Sequence, residues 1–196
     1  MIASVEADFS VELGADDETL EMPWSGGEAC PQYFDLKHHP ELLSRVEETA
    51  HSPELASFLS VMNSRHGPLE TAKCDLWSST EINPEEEIFG ATHKFGSYVD
   101  LLFCDESQRF SFEHHERFVN QITRLLKKAP DLAASAEFLV RRCLYHVGDN
   151  VRDGFYVTFY LFGYGEDEEQ ARRCWSIGLE LAENAIRQAR ERLRGD

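Results

Sequence analysis

Gly96-Ser97-Tyr98-Val99-Asp100-Leu101-Leu102-Phe103 and Gly154-Phe155-Tyr156-Val157-Thr158-Phe159-Tyr160-Leu161-Phe162 echo each other. Both runs alternate between two sets of side chains and are rich in aromatic and β-branched residues, the signature of a packed strand. Each is followed by an acidic loop and then by a segment with helical apolar spacing. The first segment, Phe112–Lys127, carries Phe118, Ile122 and Leu125 on one stripe. The second, Glu168–Leu193, carries Cys174, Gly178, Leu181, Ala185 and Ala189, small enough at several positions for close approach to a sheet. One more strand candidate precedes each quoted run, Thr71–Ser78 and Glu137–His146. The order strand, strand, helix thus occurs twice, over 71–128 and 135–194. It predicts an α+β fold: a two-layer sandwich with helices on one side of an antiparallel sheet of four main strands, built from a duplicated ββα unit.

Toward the N-terminus, residues 1–36 hold nine acids and no Lys or Arg. Val5, Ala7, Phe9, Val11 and Leu13 alternate with Glu6, Asp8, Ser10 and Glu12, which predicts a half-buried strand. Gly14-Ala15-Asp16-Asp17 supplies turn chemistry, and Thr19–Met22 can return as a partner, so 1–36 reads as an acidic hairpin or a solvated arm. Acids on the outer side of such an edge would discourage sheet-to-sheet aggregation. Trp24-Ser25-Gly26-Gly27 reads as a loop. Over 40–64 the chain reads as two short helices, one opened by Pro40 and one by Pro53 behind the N-cap Ser52. All these segments fit one domain spanning 1–196.

The net charge is −17, and 42% of the 196 residues are hydrophobic, enough for a folded core. Fourteen acids stand against Lys37, Arg45 and Arg65 within residues 1–70 alone. Such a surface repels phosphate backbones and anionic lipid, so neither nucleic acid nor a membrane is an expected partner. Cys30, Cys74, Cys104, Cys143 and Cys174 are odd in number and scattered, as reduced thiols are, and the first residues lack the pattern of a secretory signal. A cytoplasmic location is the expectation.

Alternation sorts the strands onto two faces. Val99, Leu101, Phe103, Val157, Phe159 and Leu161 should meet the helices. The opposite face then receives Lys94, Tyr98, Asp100, Tyr156, Thr158, Tyr160 and Tyr164. Lys73, Asp75 and Trp77 join them if Ala72, Cys74 and Leu76 point inward. Parity along Glu137–His146 is open: either Arg141 with Tyr145 or Arg142 with His146 lies on this face. Trp77, Lys94, Tyr98, Asp100, Arg141, Tyr156, Thr158 and Tyr160 form the candidate ligand or interface face. Three occupants suit it: the chain's own N-terminal segments, a second copy in a homodimer, or a small polar or aromatic ligand.

Asp75 and Asp100 are the candidate acid/base residues, with Lys94 or Arg141 as anion binders; an ordinary cross-strand ion pair is the competing reading. Glu113-His114-His115-Glu116 lacks the i, i+4 histidine spacing of a helical zinc site, and Cys143 and His146 fall on opposite faces of their strand, so no metal is expected. Neither a nucleophile elbow nor a phosphate-binding glycine loop occurs, and no cofactor is expected. Lys37-His38-His39-Pro40-Glu41 resembles the His-His-Pro signature of the pterin carbinolamine dehydratases. In that family the motif leads into a strand after the central helix; here it precedes the first helix, so no activity is carried over. The expected function is a cytosolic binding or interaction protein, a homodimer using its tyrosine-rich face, or alternatively an enzyme acting on a small polar or aromatic substrate; a third alternative is an acidic protein that mimics nucleic acid or docks on a basic partner.

Overall fold

The computed structural model describes residues 5–24 and 33–194, so Cys30 and the Ser25–Gly27 part of the loop expected after Trp24 lie outside the described residues. Eleven elements follow in chain order: β1 Glu6–Glu12, β2 Thr19–Met22, α1 Glu47–His51, α2 Pro53–Met62, β3 Leu69–Ser79, β4 His93–Phe103, α3 Glu106–Arg109, α4 Phe112–Leu126, β5 Ala134–Val147, β6 Asn150–Gly165 and α5 Glu168–Arg194. Short 3₁₀ turns occupy Pro40–Arg45 and Pro84–Phe89. The chain is a mixed α+β structure around a six-stranded sheet of order β1-β5-β6-β4-β3, with β2 also on β5.

Local chemistry explains the boundaries. Ser52 accepts a hydrogen bond from Leu55 N to cap α2, and Ser111 does the same for His114 N at α4. Gly148 takes a positive φ of 59° in the two-residue turn that joins β5 to β6.

The sheet is mixed, which corrects the antiparallel expectation. β3, β4, β6 and β5 pair antiparallel, but β1 and β2 both run parallel to β5. Nor do β1 and β2 form a hairpin. Glu12 lies opposite Arg141 and Thr19 opposite Arg142, so they are two consecutive pieces of one edge strand from which residues 13–18 loop out. Alternation marks a strand but not its partner, and β5 is long enough to accommodate both pieces along its free side. The helix expected from Pro40 is likewise split between the 3₁₀ turn and α1.

Val99, Leu101, Phe103, Val157, Phe159 and Leu161 join Phe138, Val140 and the apolar stripes of α2, α4 and α5 in the main core. α5 approaches β6 so closely that a methyl on Gly163 would collide with the backbone N of Trp175 and the backbone O of Ala171. Trp175 is fully buried and donates from Nε1 to Ser97 Oγ at 2.8 Å. His115 is buried among Phe103 and Phe155 and donates from Nδ1 to Ser111 O at 2.8 Å. That carbonyl can only accept, so Nδ1 carries the proton.

Candidate functional site

The helices leave one sheet face to shorter segments, and the cover is uneven. At one end Leu20, Met22, Leu102, Cys143, Tyr145 and Tyr156 make a second apolar cluster, closed by Trp24, Tyr33, Ala72 and Phe110. The N-terminal cover that the sequence allowed is thus real here. Tyr156 is fully buried, so it supports the face from below instead of meeting a partner. Ala72 belongs to this cluster, contrary to the inward position expected for it. One extra residue between Thr71 and Cys74 shifts the register of β3 against β4 and turns Ala72 over. Cys74 and Leu76 keep the inward parity and pack on the main core.

At the opposite end the turn Pro84–Phe89 folds over Lys94 and Tyr164. Phe89 stacks on Tyr164 with centroids 4.2 Å apart. Glu86 accepts from Lys94 Nζ at 3.0 Å and from the Tyr164 hydroxyl at 2.9 Å. Burial pushes the Glu86 carboxyl up, but these bonds and one from Asn83 N prevail and hold it below the usual range. Lys94 also lies over the Phe162 ring at 5.6 Å. Trp77 and Phe162 meet edge to face, 5.8 Å apart. They can do so because Gly96 stands between them, where a methyl would come within 2.9 Å of both rings.

Between the two ends, Arg141 lies on this face and Arg142 on the other, which settles the parity of β5. Arg141 donates from Nε to Glu12 at 2.7 Å and from Nη1 to Glu18 at 3.2 Å. Glu18 comes from the looped-out residues 13–18 and also lies 3.8 Å from Lys73. A third bond runs from Arg141 Nη1 to Thr158 Oγ1 at 3.2 Å, and Thr158 donates onward to Asp100 at 2.8 Å. A hydroxyl has one proton, so Thr158 accepts from arginine and gives to the carboxylate.

Asp100 is only 2% exposed. Burial pushes its carboxyl up to about 7 against the pull of the Thr158 hydrogen bond, and the Glu18 charge adds to the rise. Arg141 is already shared between two acids, so Asp100 has no cation of its own. The neighbouring Tyr156 hydroxyl is buried without a hydrogen-bond partner among the described residues.

Beside this network, two residues along the central strands and on the same face, runs a row of five residues in register across five strands: Asp8, Glu137, Tyr160, Tyr98 and Asp75. The three acids are exposed and the two tyrosines half-buried. Tyr98 and Tyr160 lie 5.7 Å apart. Burial, and then the charges of Asp100 and Asp75, push the Tyr98 hydroxyl up. Burial followed by the charge of Glu12 pushes the Glu137 carboxyl up, and Asp8 contributes as well.

The candidate residues therefore separate. Trp77, Tyr98 and Tyr160 remain reachable at the surface, whereas Asp100, Tyr156 and Thr158 are buried beside them on the same face. Lys94 and Arg141 are both neutralised by glutamates, so neither offers a free charge to an anionic group. Asp75 and Asp100 do not form a carboxylate pair: one is exposed and accepts from Leu76 N, the other is buried on Thr158. Asp8, Glu12, Glu18, Glu86, Glu137 and Phe162 belong to the site without a local mark in the sequence. Parity along β1 already put its acids on one side, but which strand β1 would pair with was not visible locally.

Among the described residues no cluster of three or more His, Cys, Asp or Glu side chains could hold a metal ion, and no helix is long and apolar enough to cross a membrane. A small cleft lined by Pro68, Phe103, Gln108, His114, Arg190 and Leu193 lies among α3, α4 and α5, away from the tyrosine row. Comparison with protein-family models, curated proteins and solved structures finds no match to this chain, so its function is read from its own residues.

Proposed function

We propose that this chain is a cytosolic binding protein whose contact surface is the part of the helix-free sheet face left open between residues 13–18 and the turn Pro84–Phe89. The observation that carries the proposal is the row Asp8-Glu137-Tyr160-Tyr98-Asp75, two half-exposed aromatic rings flanked by three carboxylates. Like charges directly opposite on adjacent strands are destabilising, so Asp8 beside Glu137 is an arrangement that folding alone does not favour. Tyrosine, with tryptophan and arginine, is enriched among the side chains that anchor interfaces. The homodimer expected from sequence would use the same face, although two copies would bring these acids together.

Amide NMR tests this reading, with titration by short basic, acidic and aromatic peptides and by simple dilution of the protein. Shift changes centred on Asp75, Gly96, Tyr98, Glu137 and Tyr160 support it. Changes confined to other surfaces, or none with any addition, refute it. Changes on dilution alone would identify the homodimer as the form in which the face is used.

A second reading has one observation in its favour. Asp100 titrates close to neutrality, which suits a group that must give and take a proton. As an acid/base residue it would serve a substrate only once residues 13–18, which bring Glu18 over Arg141, have moved aside. Loss of a chemical activity in Asp100→Asn, with ligand binding retained, is the outcome that would establish it.

A further inference from the structure

We infer that the partner of the tyrosine row is a cationic segment, a stretch of polypeptide carrying arginine or lysine side chains that lie over Tyr98 and Tyr160 and pair with Asp75, Glu137 and Asp8. The inference rests on the binding reading above and names the chemistry of the occupant.

Three of the chain's own cations are held on this face by a ring and a carboxylate together. Lys94 lies over Phe162 at 5.6 Å, Lys73 over Trp24 at 5.6 Å and Arg109 over Tyr145 at 4.5 Å. Each of these three cations also meets a carboxylate: Glu86, Glu18 and Glu70 respectively. An aromatic ring under the charge and a carboxylate beside it is therefore the repeated local arrangement on this face. In the centre the same two components are present, and the nearest cation, Arg141, is bonded to Glu12 and Glu18 and lies over neither ring. Tyr98 and Tyr160 have none over their rings among the described residues. Asp8, Asp75 and Glu137 likewise have no ion-pair partner there.

The adjoining residues of the same face add to this deficit of positive charge. Among the described residues Asp100 is buried with no ion pair, Lys73 and Arg141 acting on it only from a distance, and the Tyr156 hydroxyl beside it is buried with no hydrogen-bond partner. A guanidinium or ammonium on the tyrosine row beside them would offset acids that now repel one another. An anionic partner would meet no free positive charge, because Lys73, Lys94 and Arg141 are all paired. Strand spacing of roughly 4.8 Å puts Asp75 and Glu137 about 14 Å apart across three intervals, the reach of about four residues of extended chain. Two basic residues separated by three others thus match the row.

The test uses the full chain and a short fluorescein-labelled peptide with two arginines separated by three serines, measured by anisotropy at low and physiological salt. Its controls are the same peptide with glutamates and with leucines in place of the arginines. The arginine peptide should bind, weaken as salt rises, and lose roughly tenfold in affinity to Asp75→Asn with Glu137→Gln. The variant Glu116→Gln with Glu191→Gln removes as much charge from exposed helix positions and should change affinity less than about twofold. Equal loss in both double variants would mean attraction to the net charge alone, and would overturn the inference. Binding of the leucine or glutamate peptide at the tyrosine row, with the arginine peptide inert, would overturn it while leaving the binding reading intact. No perturbation of the row by any of the peptides or by dilution would remove both.

Discussion

Replacing Asp100 by Asn should make this protein more stable at neutral and alkaline pH and leave it little changed in acid. Asp100 ionises at about 7 in the folded chain, against 3.8 for an ordinary aspartate. Burial is the main cause. The folded state therefore holds a proton between these two pH values that the unfolded chain has released. A raised carboxylate pKa means that stability falls as pH climbs from about 4 to about 7, and that the full loss is present above 7. At ~1.36 kcal/mol per pH unit, the interval corresponds to roughly 4 kcal/mol. Asparagine has nearly the same shape, and its carbonyl oxygen can keep the hydrogen bond that Thr158 donates. Asp100→Asn should thus gain about 2–4 kcal/mol above pH 7, or roughly 5–15 °C in Tm for a chain of this size. Urea unfolding of both proteins at a series of pH values gives the difference directly. The difference should be near zero at pH 4 and grow through the interval. A pH-independent difference, or an Asn variant less stable above pH 7, would refute this account of the buried carboxylate. A group so costly to ionise is also the kind that selection for function, and not for stability, retains.

Two further outcomes test other parts of the molecule. His115 titrates at about 4 instead of 6.5, chiefly because it is buried, so the unfolded chain takes up its proton first as pH falls. Stability from this group is complete above about 6.5 and should fall by roughly 3 kcal/mol as pH drops to about 4; His115→Leu should lose that part of the acid slope in urea titrations. Gly163→Ala forces a methyl into the backbone of α5 near Ala171 and Trp175. It should cost about 3 kcal/mol or more, readable as a lowered urea midpoint, whereas Gly178→Ala, whose methyl meets only the Leu161 side chain at 3.2 Å and Ala134 Cβ at 3.6 Å, should change it little.

The sequence by itself determined most elements and both faces of the central strands. Alternation in Gly96–Phe103 and Gly154–Phe162 is a local property, since successive side chains on a strand point to opposite sides whatever the partner. The same holds for the Ser52 cap and for the apolar stripe of α4, whereas the core face of α5 runs through Ala171, Trp175, Leu179, Ala182 and Ile186, one position round from the expected Cys174, Gly178 and Leu181. Tertiary structure decided everything that depends on which backbone lies beside which. It made β1 and β2 one interrupted parallel edge on β5 instead of a hairpin, and so brought Asp8 beside Glu137 and Glu12 beside Arg141. An extra residue in β3 turned Ala72 to the face opposite the one its position implied. The close approach of α5 is permitted by Gly163 on the strand, where the sequence pointed to small residues on the helix. Tyr98 and Tyr160 could be put on one face from their own strands alone, but the carboxylates that flank them come from three other strands. A register between strands is fixed by hydrogen bonds between distant segments, and no residue carries a local mark of the partner it will meet.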